Sequence, residues 1–325
     1  MKVGEKMIID FRCRPPYGET FKYLTCDLLN RAYEVINDAP TPPSIEKYDF
    51  DLFMTEMNMA GVDMGVVTGR STCETMDPAN ENANNLAVMK MMEEYPGRFI
   101  GAWGVDPMDV EKSIKNITAY VINGPFATVL LEPGQSLSPM AVDDVRCLEI
   151  YDFCEAHHVP IMLAFGELNY RSMRHMRPEA LDNICEMFEE LKITVFHGGW
   201  PYVLDVQWIA YNRENFYISP DYTMMKNWPG HQDFICSANS WMQDKMIFGS
   251  AYPFCAMATA VEAYRQVLRP EVFPKVMGIN ALRALNLPVP DNAPAVAPHW
   301  SRRAVAAELN DLPLLEKYQK KDWPK

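Results

Sequence analysis

Two arginines one residue apart, Arg12 and Arg14, lie in the stretch MIIDFRCRPP (residues 7–16). Its apolar start reads as a buried strand, and residues two apart on an extended strand share a face. Both guanidiniums therefore leave the carboxyl end of the strand on the same side. Cys13, between them, turns the other way as a core thiol. Arginine is permanently cationic and grips carboxylates bidentately, so the pair suits a small anionic substrate. An ion pair with Asp10 or Glu132 accounts for one arginine, but two exceed what Asp10 alone neutralises.

Other residues able to do chemistry also fall at the ends of apolar runs. Arg70 follows MGVVTG, Glu132 lies in LLEPG, and His197 lies in VFHGGWP. Asp221 and Tyr222 lie in ISPDY, and Tyr252 in GSAYP. His197 has a side chain suited to proton transfer near neutrality, and the glycines after it let a ligand approach the backbone. Asp221 and Glu132 are the candidate bases for activating water, Asp221 first; the competing reading is charge balance for the arginines. Arg70 either extends the anion site or caps a helix. Tyr222 and Tyr252 either donate a hydrogen bond to a substrate oxygen or simply pack. His157 and His158 end a helix on the opposite face. His175, His231 and His299 lie in loops or the tail, and of these only His231 is placed to reach the site.

Such residues need a frame. Strand candidates occur at 6–11, 64–69, 98–105, 126–133, 159–166, 193–199, 215–221 and 245–253. Amphipathic helical patterns lie between them at 51–61, 85–97, 145–158 and 179–191. Strands alternating with helices imply parallel pairing, and eight such units imply an α/β fold of the closed (β/α)8 TIM-barrel type. An open doubly wound sheet is the competing fold, but no G-x-G-x-x-G follows the first strand. The barrel is expected over residues 1–287, with residues 15–50 a long insertion after strand 1 that acts as a lid or subunit contact. Residues 288–325 are expected to form a C-terminal extension packed on the barrel or on a neighbouring subunit of a homo-oligomer.

Bulk properties narrow the partners. Apolar residues make up 48% of the 325 and charged residues 22%, enough for a large core. A net charge of -13 argues against nucleic-acid or anionic-membrane partners, and any positive potential must be local. No window reaches the roughly 18 apolar residues of a membrane span. With no signal-like start and eight cysteines free of C-x-x-C pairs, a cytoplasmic protein with reduced thiols is expected.

MIID, VFHGGWPYV and IFGSAYPF resemble the first, sixth and eighth strands of the amidohydrolase superfamily, in its amidohydrolase-related branch. The resemblance covers residues 6–286 and is to a subgroup whose first strand reads D-F-R-x-R-P-P. Metal-using members end strand 1 in H-x-H and add a His from strand 5, a His from strand 6 and an Asp from strand 8. Here those places hold Arg12 and Arg14, Ala164 or Phe165, His197 and Ala251. Arginine cannot ligate a cation and repels one, so neither metal nor other cofactor is expected. The branch includes lactonases, decarboxylases and amidases. The departures, with the two guanidiniums, point to a metal-independent hydrolase of a small carboxylated lactone or cyclic ester, which the resemblance permits. Arg12 and Arg14 would form the anion site, Asp221 or Glu132 would be the base, and His197 would be the proton donor. Three alternatives stand beside it. One is a decarboxylase or lyase; another is a relocated zinc or manganese site on Glu132, His197 and Asp221. The third is a non-catalytic carboxylate-binding barrel.

Overall fold

β-Branched and apolar runs become strands wherever turn residues bound them. The computed structural model describes residues 7–18, 26–37, 39–71, 83–166 and 172–296. Among these, seven parallel strands lie side by side in chain order. They are β1 (Ile9–Cys13), β2 (Met64–Thr68), β3 (Phe99–Val105), β4 (Thr128–Leu131), β5 (Ile161–Ala164), β6 (Ile193–Phe196) and β7 (Phe216–Ser219). They are shorter than the apolar runs, because residues such as Pro133, Gly166 and Pro220 stop the ladder at its carboxyl end.

The eighth predicted strand takes another form. Segment 245–253 makes two single bridges, Met246 to Ile218 of β7 and Tyr252 to Cys13 of β1. Ile247 N–H donates to the Ile218 carbonyl at 2.9 Å, and Phe11 N–H to the Phe248 carbonyl at 3.0 Å. The segment thus joins β7 to β1 and closes a (β/α)8 barrel. Gly249, the left-handed Ala251 (φ +55°) and Pro253 prevent a continuous ladder.

Helices α1 (Cys26–Ala32), α2 (Pro43–Glu46) and α3 (Phe50–Met59) follow β1. After them come α4 (Ala83–Glu94), α5 (Val110–Asn116), α6 (Val145–Ala156), α7 (Pro178–Met187), α8 (Val203–Asn212), α9 (His231–Ala238), α10 (Met257–Val267) and α11 (Asn280–Ala284). Asp49, Asp109 and Asp144 cap α3, α5 and α6 by accepting from backbone N–H groups of the first turn. Apolar strand residues alternate between two cores. Val67, Val129, Leu163 and Val195 pack outward against the helices, while Phe11, Val66, Leu130, Met162 and Phe196 fill the barrel.

One end of the barrel is stoppered. Ala281, Leu282 and Leu285 of α11 and its following turn join the inner core. Asn280 Nδ2 donates to the Gln243 and Met246 carbonyls, and Lys192 Nζ to the Arg283 carbonyl. Lys192 precedes β6, so α11 covers the amino ends of the strands and leaves the carboxyl ends for the site.

The insertion after β1 packs on the segment that closes the barrel. Buried Tyr33 donates its hydroxyl to the Pro253 carbonyl at 2.9 Å, and Ser44 Oγ lies 2.7 Å from the Tyr252 hydroxyl. Of the expected C-terminal extension, Val289 packs against the inner core and Pro294 accepts from Arg283, whereas residues 297–325 lie outside the described residues. No helix among the described residues is long and apolar enough to cross a membrane.

Candidate active site

A β-bulge aims the first arginine. Asp10 pairs with Gly65 and Cys13 with Val67, so β1 spends one residue more than β2 over the same span. Arg12 turns into the barrel mouth, its guanidinium 4.5 Å from the centre of the Phe196 ring. It is 3% exposed, and its nearest anion is Asp221, with Nη1 3.6 Å from Oδ2. Its Nε and Nη1 have no hydrogen-bond partner among the described residues. Burying a guanidinium this way is costly unless something else satisfies it.

Arg14 and Arg70 are tied differently. Arg14 Nε donates to Thr68 Oγ1 at 2.8 Å and its Nη2 to Glu132 Oε1 at 3.4 Å. Arg70 grips Glu132 bidentately, Nε to Oε2 at 2.6 Å and Nη2 to Oε1 at 2.9 Å, and also reaches Gln135. Gly104 of β3 makes this possible, because a Cβ there would lie 2.6 Å from the Arg70 Cα. All three sequence-predicted cations therefore gather at one end.

Glu132 is a poor base in this setting. Burial alone would raise its pKa, but Arg70, Arg14 and Arg12 hold it down at about 2. The carboxylate is a fixed anion that organises two arginines, which is the charge-balance reading. Its folded-state pKa lies below the unfolded value of 4.5, so its stabilisation is complete above that value and is lost as pH falls towards 2. The expected size is about 3 kcal/mol. Thermal unfolding from pH 7 to pH 3 should show a steep loss of stability in the wild type and a shallower one in Glu132→Gln.

The ends of β6 and β7 supply the second cluster. Asp221 is fully buried, and its Oδ2 lies 3.3 Å from His197 Nδ1. The same oxygen accepts the His197 backbone N–H at 3.3 Å, and Oδ1 accepts the Ser219 hydroxyl at 2.7 Å. Gly249 leaves room for this carboxylate, since a Cβ there would sit 2.6 Å from Oδ1. His197 and Asp221 both hold positive φ, +63° and +55°, costly for non-glycine residues and found where structure over-determines the backbone. His197 begins the turn after β6 rather than lying in the strand.

Burial, followed by Arg12 and Arg14, pushes His197 well below its ordinary pKa, so the imidazole is neutral at physiological pH. Asp221 moves up, because burial outweighs Arg12, the Ser219 hydroxyl, the His197 N–H and Arg14.

Not every predicted residue joins the site. Tyr222 does, its ring centre 5.6 Å from that of His197 and packed against Trp228 and Phe254. Tyr252 does not. Its ring meets Phe53 of α3 edge-on at 5.0 Å and its hydroxyl is bound to Ser44, so it anchors the insertion instead of facing a substrate. His231 is held by the Trp228 carbonyl at the start of α9. Asp10 is not an ion-pair partner of the arginines; it accepts from the Arg12 backbone N–H and from Ser250. Ser219, Thr68 and Gln135 went unpredicted. Only Ser219, two residues before Asp221, carried a sequence signal, as a hydroxyl within reach of the acid.

The residues do not fit a metal. Guanidiniums of Arg12 and Arg14 occupy the two strand-1 positions, and Ala164 and Ala251 have no ligating atom. Among the described residues no three His, Cys, Asp or Glu side chains converge to hold one. Toward the relocated site, Glu132 is engaged by Arg70 and Arg14 while His197 faces Asp221. Three guanidiniums face one firmly ionised carboxylate and one buried acid with a raised pKa. The arrangement can bind an anion and move a proton beside it.

The amidohydrolase family model matches residues 48–287. No curated protein matches the chain. Among solved structures, an uncharacterised TIM-barrel protein from Bordetella bronchiseptica is 31% identical with a TM-score of 0.77, covering 86% of this chain and 98% of its own. 5-Carboxyvanillate decarboxylase from Sphingomonas paucimobilis is 16% identical with a TM-score of 0.60, covering 87% and 100%. A probable 2-pyrone-4,6-dicarboxylic acid hydrolase from Acinetobacter baumannii, with citric acid bound, is 15% identical with a TM-score of 0.55, covering 86% and 99%.

Proposed function

The chain belongs to the amidohydrolase family and is an enzyme; from that premise we propose that it hydrolyses a small carboxylated lactone or similar cyclic ester without a metal ion. The observation that carries this reading is buried Arg12, with two donor nitrogens unmatched by any described residue, beside the Asp221–His197 pair. A substrate carboxylate or a polarised carbonyl oxygen supplies what those donors lack.

Proton transfer falls to the pair. Asp221 facing Nδ1 favours the tautomer with the proton on that nitrogen, leaving the Nε2 lone pair to take a proton from water. The resulting imidazolium is stabilised by Asp221 and returns its proton to the leaving alkoxide as the ring opens. Arg12 and Arg14 depress the basicity of His197, and a bound carboxylate offsets them. Substrate binding therefore raises the competence of the base.

A second reading, decarboxylation, is favoured by the buried Asp221–His197 pair beside Arg12, an acid placed to deliver a proton to the carbon of a bound carboxylate. One experiment separates the two. Chelator-treated protein is given a panel of carboxylated lactones and aromatic carboxylates, with ring opening followed by alkali uptake and carbon dioxide by gas analysis. Ring opening that survives EDTA is expected. Turnover lost in EDTA and restored by zinc or manganese would overturn metal independence. Carbon dioxide release, with solvent deuterium on the product carbon, would replace hydrolysis by the second reading. Binding without turnover of any compound would overturn the proposed substrate class. Cytoplasmic location and a homo-oligomer, through the insertion or the C-terminal extension, remain part of the proposal.

A further inference from the structure

We propose that Asp10 is a positioning residue of the anion site, holding the β1 bulge that turns Arg12 into the barrel mouth. The inference rests on the anion-site reading above. At the bulge, Phe11 N–H and Arg14 N–H donate to carbonyls of the closing segment, Phe248 and Tyr252, both at 3.0 Å. The Arg12 N–H between them has no such carbonyl. It turns to Asp10 Oδ1 at 3.2 Å. The same oxygen accepts the Ser250 N–H at 2.8 Å, and Oδ2 accepts the Ser250 hydroxyl.

One side chain therefore serves a backbone donor on each side of the closure, at the point where the bulge leaves the ladder unpaired. The local register would otherwise be free to shift, and a slip would turn Arg12 away from the mouth. Asp10 is fully buried and bonded only to backbone N–H groups and a hydroxyl, an expensive place for an acid. Burial lifts its pKa to about 7 against the Ser250 and Arg12 donors, with Asp221 adding to the rise.

The test uses citrate as the probe, with dissociation constants by calorimetry and melting temperatures measured in parallel on the full chain. Arg12→Gln is the reference, expected to weaken citrate by about a hundredfold. Asp10→Ala should weaken it by about tenfold, and the double variant should be no weaker than Arg12→Gln alone. Asp10→Asn keeps an oxygen for both N–H groups and should stay within about threefold of wild type. Should Asp10→Ala fail to fold, Asp10→Ser, too short to reach both donors, carries the same expectation.

A lowered melting temperature with unchanged citrate binding in Asp10→Ala would reduce Asp10 to a structural latch and overturn the proposal. So would effects of the two substitutions that multiply. Unchanged binding in Arg12→Gln would overturn the anion-site reading itself, whereas weakened Arg12→Gln beside unaffected Asp10→Ala would remove Asp10 alone.

Discussion

Arg12→Gln is expected to weaken a carboxylated ligand by about a hundredfold and to leave the ligand-free protein at least as stable. The two effects separate because Arg12 serves the ligand more than the fold. Its guanidinium is buried, reaches one carboxylate at 3.6 Å and otherwise lies against the Phe196 ring. A charge-assisted hydrogen bond contributes roughly 1.5–3 kcal/mol, so losing two to a ligand gives the hundredfold figure with allowance for glutamine's partial replacement. Removing the cation also removes its desolvation cost. Asp221 then takes up a proton more readily, because burial is less opposed. Calorimetric binding of citrate and thermal unfolding of the same preparations would check both halves. A variant that binds citrate like wild type, or that unfolds many degrees earlier, would contradict this account.

The largest effect on turnover is expected from Asp221→Asn. Loss of roughly a thousandfold in kcat with KM changed only a few-fold fits removal of a proton-transfer partner. An amide facing His197 Nδ1 neither selects the productive tautomer as firmly nor stabilises an imidazolium. The pH profile gives a second reading. If ionised Asp221 is required, turnover falls on the acid side at a pH above the ordinary carboxylate range, since burial raises its pKa. In Arg12→Gln the acid limb should move to still higher pH. The stability linkage runs the opposite way. A carboxyl whose folded pKa is raised stabilises most below its unfolded value of 3.8 and loses that contribution as pH rises through the folded pKa. Asp221→Asn should therefore be relatively more stable at pH 8 than at pH 4, by comparison with wild type.

Much of the frame was legible because a barrel repeats one rule. Apolar runs bounded by glycine and proline became strands, and their carboxyl ends held the arginines, His197 and Asp221. Alternation also placed Arg12 and Arg14 together and turned Cys13 away from them; the bulge puts it in the outer core, where it is fully buried. Pair choice was not legible. Whether Glu132 activates water or holds arginines depends on Arg70 arriving from β2 past the bare face of Gly104, a contact between distant positions. The choice for Tyr252 between a substrate hydrogen bond and packing was open for a similar reason: its direction is decided by Phe53 and Ser44 on the insertion side of the fold. The bulge in β1 leaves no mark in the residue pattern, because Arg12 and Arg14 share a side with or without it. Depression of the His197 pKa needed the burial and the nearby guanidiniums together.

The closing segment, with its two single bridges to β7 and β1, also has a motional consequence. From β2 to β7 neighbouring strands exchange regular ladders, so opening them breaks several backbone bonds at once. At residues 245–253 the cooperative unit is small, and side chains such as Asp10 carry part of the closure. Amide hydrogen exchange is therefore expected to be faster along this wall than in the regular ladders. Such an opening would release together the Asp10 bonds beside Arg12 and the packing of Gly249 on Asp221.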